Sequence, residues 1–150
     1  MIAYRIADGR HPIFDAAGAK LHGGRWNSAG LAVIYACGSY AGALLEILVH
    51  ANLSQPPKSA RAVQIDIPEE VAIETVVAGQ IADWEDAGMA ASRAFGDQWI
   101  RSNRTAVLRV PSVITRGRET NLVINPAHSA FPLITCGKPE PVYWDPRLFR

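Results

Sequence analysis

Three residues whose side chains could work on one substrate stand close together: Arg25, Tyr35 and Glu46. They lie in GGRWNSAGLAVIYACGSYAGALLEILVHA, residues 23–51. The arginine follows two glycines, the tyrosine falls near the end of an apolar run, and the glutamate interrupts a run of aliphatics. A guanidinium can grip phosphate bidentately, and glycine lets backbone approach a ligand closely. An aromatic face can stack on a planar ring. A lone carboxylate can stabilise positive charge developing on a sugar during glycosidic cleavage. The combination suits a dinucleotide. Each residue also has a plainer reading: a solvated loop arginine, a core tyrosine and an outward helix glutamate.

The elements that must position these groups are readable from pattern. IAYRIA (2–7) and RAVQIDIP (61–68) alternate apolar and polar residues as half-buried strands do. LAVIYA (31–36) reads as a buried strand. Ser39 can cap a helix running through AGALLEILVHA, which ends in the stretch from Asn52 to Lys58. On that helix Ala41, Leu44, Leu45 and Leu48 form an apolar stripe expected to face the core, with Glu46 nearly opposite. Residues 83–103 read as helical, with Gly88 and Gly96 expected to divide them. Arg25 falls in a loop with room for a short strand, and Trp26 is placed to pack beneath it. The tail is β-like: AVLRVPSVI, NLVINP, FPLITC and VYWD. Strands at both ends and helices between give an α+β fold, one domain over residues 1–150.

Composition narrows the class. The chain has 150 residues, 49% hydrophobic and 19% charged, which suits a compact protein rather than a disordered one. A net charge of +1 gives no global basic field for nucleic acid. Arg101, Arg104, Arg109, Arg116 and Arg118 could still make a local patch. Cys37 and Cys136 form no CxxC pair and read as small buried thiols in a reducing compartment. His11, His22, His50 and His128 show no metal-ligand spacing, so no metal is expected. No leader or membrane-spanning run is visible, which points to the cytoplasm.

The order GGRWN, IYA, LLEILVH, PSVI, ETNLVINPAH and YWDPRLFR resembles the RES domain over nearly the whole chain. RES proteins are bacterial toxins named for Arg, Glu and Ser residues, the last matching Ser112 here. The resemblance implies a mixed fold like that of diphtheria-toxin-type ADP-ribosyltransferases and NAD+ as substrate. It implies that Arg25, Tyr35 and Glu46 carry the reaction, with Trp26, Asn27 and Ser112 in or beside the NAD+ site. Asn125 and His128 belong to the matching NPxH motif, where Asn-Pro favours a turn. The expected function is that of a type II toxin cleaving the nicotinamide–ribose bond, passing ADP-ribose to water or phosphate. The alternative is a mono-ADP-ribosyltransferase acting on a specific protein. Remoter are an RNase, using the arginine run with His50 or His128, and a noncatalytic interaction domain. The resemblance also implies an Xre-type helix-turn-helix antitoxin that covers the NAD+ site, with self-association open.

Overall fold

The computed structural model describes residues 1–50 and 54–149. The expected helix end at Ala51 and Asn52 and the last residue of the closing motif, Arg150, lie outside the described residues.

The strands are β1 (Ile2–Asp8), β2 (Ile34–Cys37), β3 (Ala60–Asp66), β4 (Ile73–Thr75), β5 (Val107–Pro111), β6 (Thr120–Ile124), β7 (Thr135–Cys136) and β8 (Glu140–Pro141). The helices are α1 (Ala17–His22), α2 (Tyr40–His50) and α3 (Ala90–Ser102). The strands join in one sheet, ordered β4-β5-β6-β2-β1-β3-β7, with β8 also on β3. β4 and β5 run parallel, while the other pairs are antiparallel. This is the expected mixture of strands and few helices.

Side-chain alternation divides the core between the two faces of the sheet. Ala3, Ile34, Ala36, Val63, Ile65, Leu122 and Ile124 pack together on one face. On the other, two clusters lie side by side. Cys37, Ile6 and Ala62 meet Ala43, Leu44 and Ile47 of α2. Val33, Leu108, Val110 and Val123 meet Trp26, Trp84 and Trp99. A groove runs between them. β1 and β2 share a single register pair, Tyr4↔Cys37, so the sheet splays along that groove. The Arg5 guanidinium bridges the gap, donating from Nη1 to Tyr35 O (2.8 Å) and from Nε to Ile13 O (2.7 Å).

Several expectations need correction. α2 turns only part of the expected stripe to the core: Leu44 packs there beside Ala43, which is 2% exposed, whereas Ala41 and Leu45 (40%) are exposed. Small residues decide the orientation. Gly42 and Ala43 let the helix lie close on the sheet near Cys37, and bulky Leu45 and Leu48 on that side would hold it off. This rotation carries Glu46 toward the groove. Ser39 caps the helix as expected, its Oγ accepting from Gly42 N at 3.0 Å.

Gly96 does not divide the second helix. α3 runs unbroken through it, beginning only at Ala90 because Asp83 and Met89 take left-handed backbone conformations. A Cβ on Gly96 would stand 1.8 Å from the Trp26 carbonyl oxygen. The glycine is there for contact, not for a break. The strand expected at 31–36 is shifted to 34–37, FPL is a 3-10 turn, and VYWD forms no strand beyond the Glu140–Pro141 pairing. Cys136 is exposed rather than buried; Cys37 is buried as expected.

Candidate functional site

The groove is a cleft of about 590 Å³, and Arg5, Arg25, Tyr35, Glu46, Arg93 and Asn121 all line it. Its two walls come from different parts of the chain.

The first wall is the loop 23–27. Gly24 and Asn27 form an isolated bridge that turns the chain tightly around Arg25 and Trp26. Asn27 is fully buried. Its Nδ2 donates to Ala19 O (2.9 Å), Leu31 O (3.0 Å) and Ser28 O (3.3 Å), so the loop is tied to α1 and to the chain entering β2. Tyr35 rises from β2 beneath this loop. Its hydroxyl donates to Asn27 Oδ1 at 2.6 Å and accepts from Trp26 N at 3.0 Å. Burial pushes the phenol well above its ordinary pKa, against the pull of the Trp26 N–H and of the Arg93 and Arg25 guanidiniums. The tyrosine is neutral at any physiological pH.

Gly24 rests on the tyrosine ring, where a Cβ would fall 2.7 Å from the hydroxyl oxygen. This explains a glycine before Arg25 in physical terms. Trp26 is 2% exposed and meets Phe95 edge-on at 6.4 Å, anchoring the loop in the core. Arg25 leans the other way, Nη1 donating to Trp84 O (3.0 Å) and Asp86 O (2.9 Å). Its Nε and Nη2 edge is not engaged by these bonds.

The second wall is α2 with β6. The Glu46 side chain is 25% exposed. Its Oε1 accepts from Asn121 Nδ2 at 2.8 Å, and its Oε2 lies 3.3 Å from His50 Nε2, one helical turn on. Asn121 sits opposite Cys37 in the β2–β6 register, which places its amide on the cleft face of the sheet. Cys37 also lines the cleft, but burial, together with the Glu46 charge, pushes its thiol up to about 12. It is a neutral wall atom, not a nucleophile.

Of the expected residues, Arg25, Tyr35, Trp26 and Glu46 meet at the cleft, with Asn27 directly behind it. Ser112 does not line it. It is 4% exposed, its N–H donates to Glu119 O and its carbonyl accepts from Gly117 N, while its neighbours Pro111 and Val113 face the cavity. Asn125 and His128 brace a turn away from the cleft: Asn125 Oδ1 accepts from Ala127 N and His128 Nδ1 from Ala130 N, both at 3.0 Å. Sequence reasoning missed Arg5, Arg93 and Asn121 as cleft residues. Arg93 donates from Nε to Gly24 O at 2.8 Å, tying α3 to the glycine pair.

The charge pattern follows. Among the described residues Glu46 is the one carboxylate lining the cleft, against three arginines. None of those arginines has an ion-pair partner among the described residues. By contrast, Arg104 and Arg116 of the sequence-local arginine run pair with Glu74 and Glu85. Positive charge therefore faces this cavity although the chain as a whole is near neutral. Among the described residues no cluster of three or more His, Cys, Asp or Glu could hold a metal, and no helix is long and apolar enough to cross a membrane.

The model of the RES domain matches residues 2–145. A protein of Sphingobium sp. (strain YBL2) named as a Prs ADP-ribosylating toxin is 46% identical over 141 residues, covering 91% of this chain and 86% of that relative. A protein of Yersinia enterocolitica named Toxin Res is 33% identical over 156 residues, covering 99% of both chains. Among solved structures, the M. tuberculosis MbcT–MbcA toxin–antitoxin complex contains a chain that superposes with a TM-score of 0.78 at 19% identity, covering 99% of this chain and 86% of that one. The last is a likeness of fold.

Proposed function

The chain belongs to the RES domain family, and on that premise we propose that it is a toxin whose cleft binds NAD+ and breaks the nicotinamide–ribose bond. The observation that carries this reading is the convergence of Glu46 on a single cleft with three arginines that have no ion-pair partner among the described residues. An anionic dinucleotide suits this positive lining, and a sugar that becomes cationic suits the glutamate.

The chemistry needs little else. Nicotinamide is already a cationic leaving group on NAD+, so it departs with the bonding electron pair and needs no general acid. The ribose passes through an oxocarbenium-like state, as in glycoside hydrolysis. Glu46, held by Asn121 at Oε1 and beside His50 at Oε2, accepts from a ribose hydroxyl and stabilises the developing charge. Arg25 holds the diphosphate, and Tyr35 supports the loop that carries Arg25. Trp26 and Asn27 act by fixing that loop, and Ser112 by setting the turn behind Pro111 and Val113. An acceptor oxygen then bonds to the anomeric carbon and releases its proton.

In the leading reading the acceptor is water or phosphate, and NAD+ depletion arrests growth. The second reading, transfer to a protein side chain, is favoured by the 46% identical relative, whose name records ADP-ribosylation of Prs. Relatives named as toxins support an antitoxin partner for this chain too. We assign that role to an Xre-type helix-turn-helix protein whose chain end occupies the arginine-lined cleft. An RNase reading is weaker: His128 is engaged in its turn, and Arg104 and Arg116 are neutralised.

The test is mass spectrometry of NAD+ products with water, phosphate or purified Prs supplied as acceptor. Nicotinamide with ADP-ribose indicates hydrolysis, ADP-ribose-1″-phosphate indicates phosphorolysis, and a mass gain on Prs indicates protein modification. No nicotinamide with any acceptor contradicts the proposal.

A further inference from the structure

We infer that Arg93, on α3, is a second phosphate-binding cation of the cleft and grips the diphosphate of the dinucleotide together with Arg25. The inference rests on the NAD+ reading above and deepens it. Four observations carry it. Arg93 lines the same cavity as Arg25 and Glu46. Its Nε bond to Gly24 O sets its guanidinium directly against the residue preceding Arg25. Among the described residues its remaining N–H groups meet only the Met89 sulfur, at 3.6 Å, which is a weak acceptor. No ion-pair partner for it occurs among the described residues, and Asp97, one turn along α3, is engaged through both oxygens by Ser28 (2.8 and 2.5 Å). A guanidinium fixed by main chain with unused donors facing a cavity is placed to meet an anionic ligand.

The two arginines divide the work by geometry. Arg25 is anchored through Nη1 to the carbonyls of Trp84 and Asp86, and Arg93 through Nε to the carbonyl of Gly24. Each therefore keeps other N–H groups for a ligand while its position is fixed by main chain. Both line the same cavity as Tyr35, whose ring lies under the Gly24 that Arg93 holds. A diphosphate carries two adjacent anionic groups, and two fixed forks match it better than one. Arg5 differs. Its Nη1 ties β1 to β2 at Tyr35 O and its Nε ties β1 to the loop at Ile13 O, so it is a strap rather than a ligand-facing group.

A purely structural role, holding Gly24, is the competing account, and a choice of ligands separates the two. The affinity of the full chain for ADP-ribose and for nicotinamide riboside, which lacks phosphate, is measured by calorimetry in wild type, Arg93→Gln and Arg93→Lys. The glutamine keeps a donor for Gly24 O without charge; the lysine keeps the charge. Arg93→Gln is expected to weaken ADP-ribose binding roughly 10- to 100-fold, the size of one charge-assisted hydrogen bond. The loss for nicotinamide riboside is expected to be several times smaller, and the loss in Arg93→Lys to fall between wild type and Arg93→Gln. Equal losses on both ligands, or no loss on ADP-ribose, overturn the assignment while leaving the NAD+ reading intact. Wild type that fails to bind ADP-ribose overturns the NAD+ reading itself.

Discussion

The wall built from loop 23–27 and α3 is held by main-chain bonds, buried aromatics and a glycine contact, whereas the wall built from α2 and β6 presents Glu46 through one amide. On the first, Asn27 is wholly buried with every polar atom of its side chain engaged, and Trp26 lies in the core. On the second, Glu46 is part-exposed and the outer face of α2 shows Leu45 to the surface. A binding site gains from groups whose positions are fixed before the ligand arrives. A reacting carboxylate needs only to be aimed. Substitutions should therefore damage the fold on one wall and the chemistry alone on the other.

The sharpest way to break that contrast is Gly96→Ala. The new Cβ would meet the Trp26 carbonyl at 1.8 Å, and main chain on both sides leaves no rotamer to relieve it. A loss of about 3 kcal/mol is expected from overpacking of this kind, read as a lower urea midpoint. Glu46→Gln, on the opposite wall, should stay within about 0.5 kcal/mol of wild type. Equal stability of the two variants would erase the difference between the walls.

Tyr35→Phe removes a hydroxyl that serves two partners, leaving Asn27 Oδ1 and the Trp26 N–H unmatched. Its cost should be about 1–3 kcal/mol in stability, with NAD+ affinity falling in step as the Arg25 loop loosens. Asn121→Ala is expected to be milder on the fold and to act on rate. Releasing Glu46 Oε1 should lower NAD+ turnover roughly tenfold, about 1.4 kcal/mol of barrier, with KM little changed.

The smallest effect is a pH dependence. Cys37 is held at about 12, above the ordinary thiol value of 9.0, so the folded state favours its neutral form. That contribution is complete below pH 9 and is lost as pH rises from 9 toward 12. Tyr35, raised from 10.0, adds a second loss that begins above pH 10. Stability should fall along this alkaline limb, and Cys37→Ala should flatten its lower part. At pH 8 iodoacetamide should label exposed Cys136 and spare Cys37.

What could be read from the sequence was whatever local chemistry determines. The alternation of 2–7, the Ser39 cap and the small residues around Arg25 and Glu46 each act within a few residues, and all reappear in the structure. Arg93 and Asn121 were not legible because their positions depend on long-range pairing. Asn121 reaches Glu46 only through the Cys37↔Asn121 register, and Arg93 reaches Gly24 only because Gly96 lets α3 approach Trp26. The same cause explains the rotated α2: leucine count suggested one face, but closeness to the sheet selected the face with Gly42 and Ala43. β4 is three residues long and pairs in parallel at an edge, too short to leave a period. The NPAH segment makes the turn that its Asn-Pro pair favours.

One measurement bears most directly on the central claim, that Glu46 in this cleft drives cleavage of NAD+. Nicotinamide release and ADP-ribose affinity are compared in wild type and Glu46→Gln, each with the acceptor that supports wild-type turnover. The account predicts that release falls roughly 100- to 1000-fold, the scale of losing one transition-state charge contact, while affinity changes no more than a few-fold. Wild-type release by Glu46→Gln would contradict it.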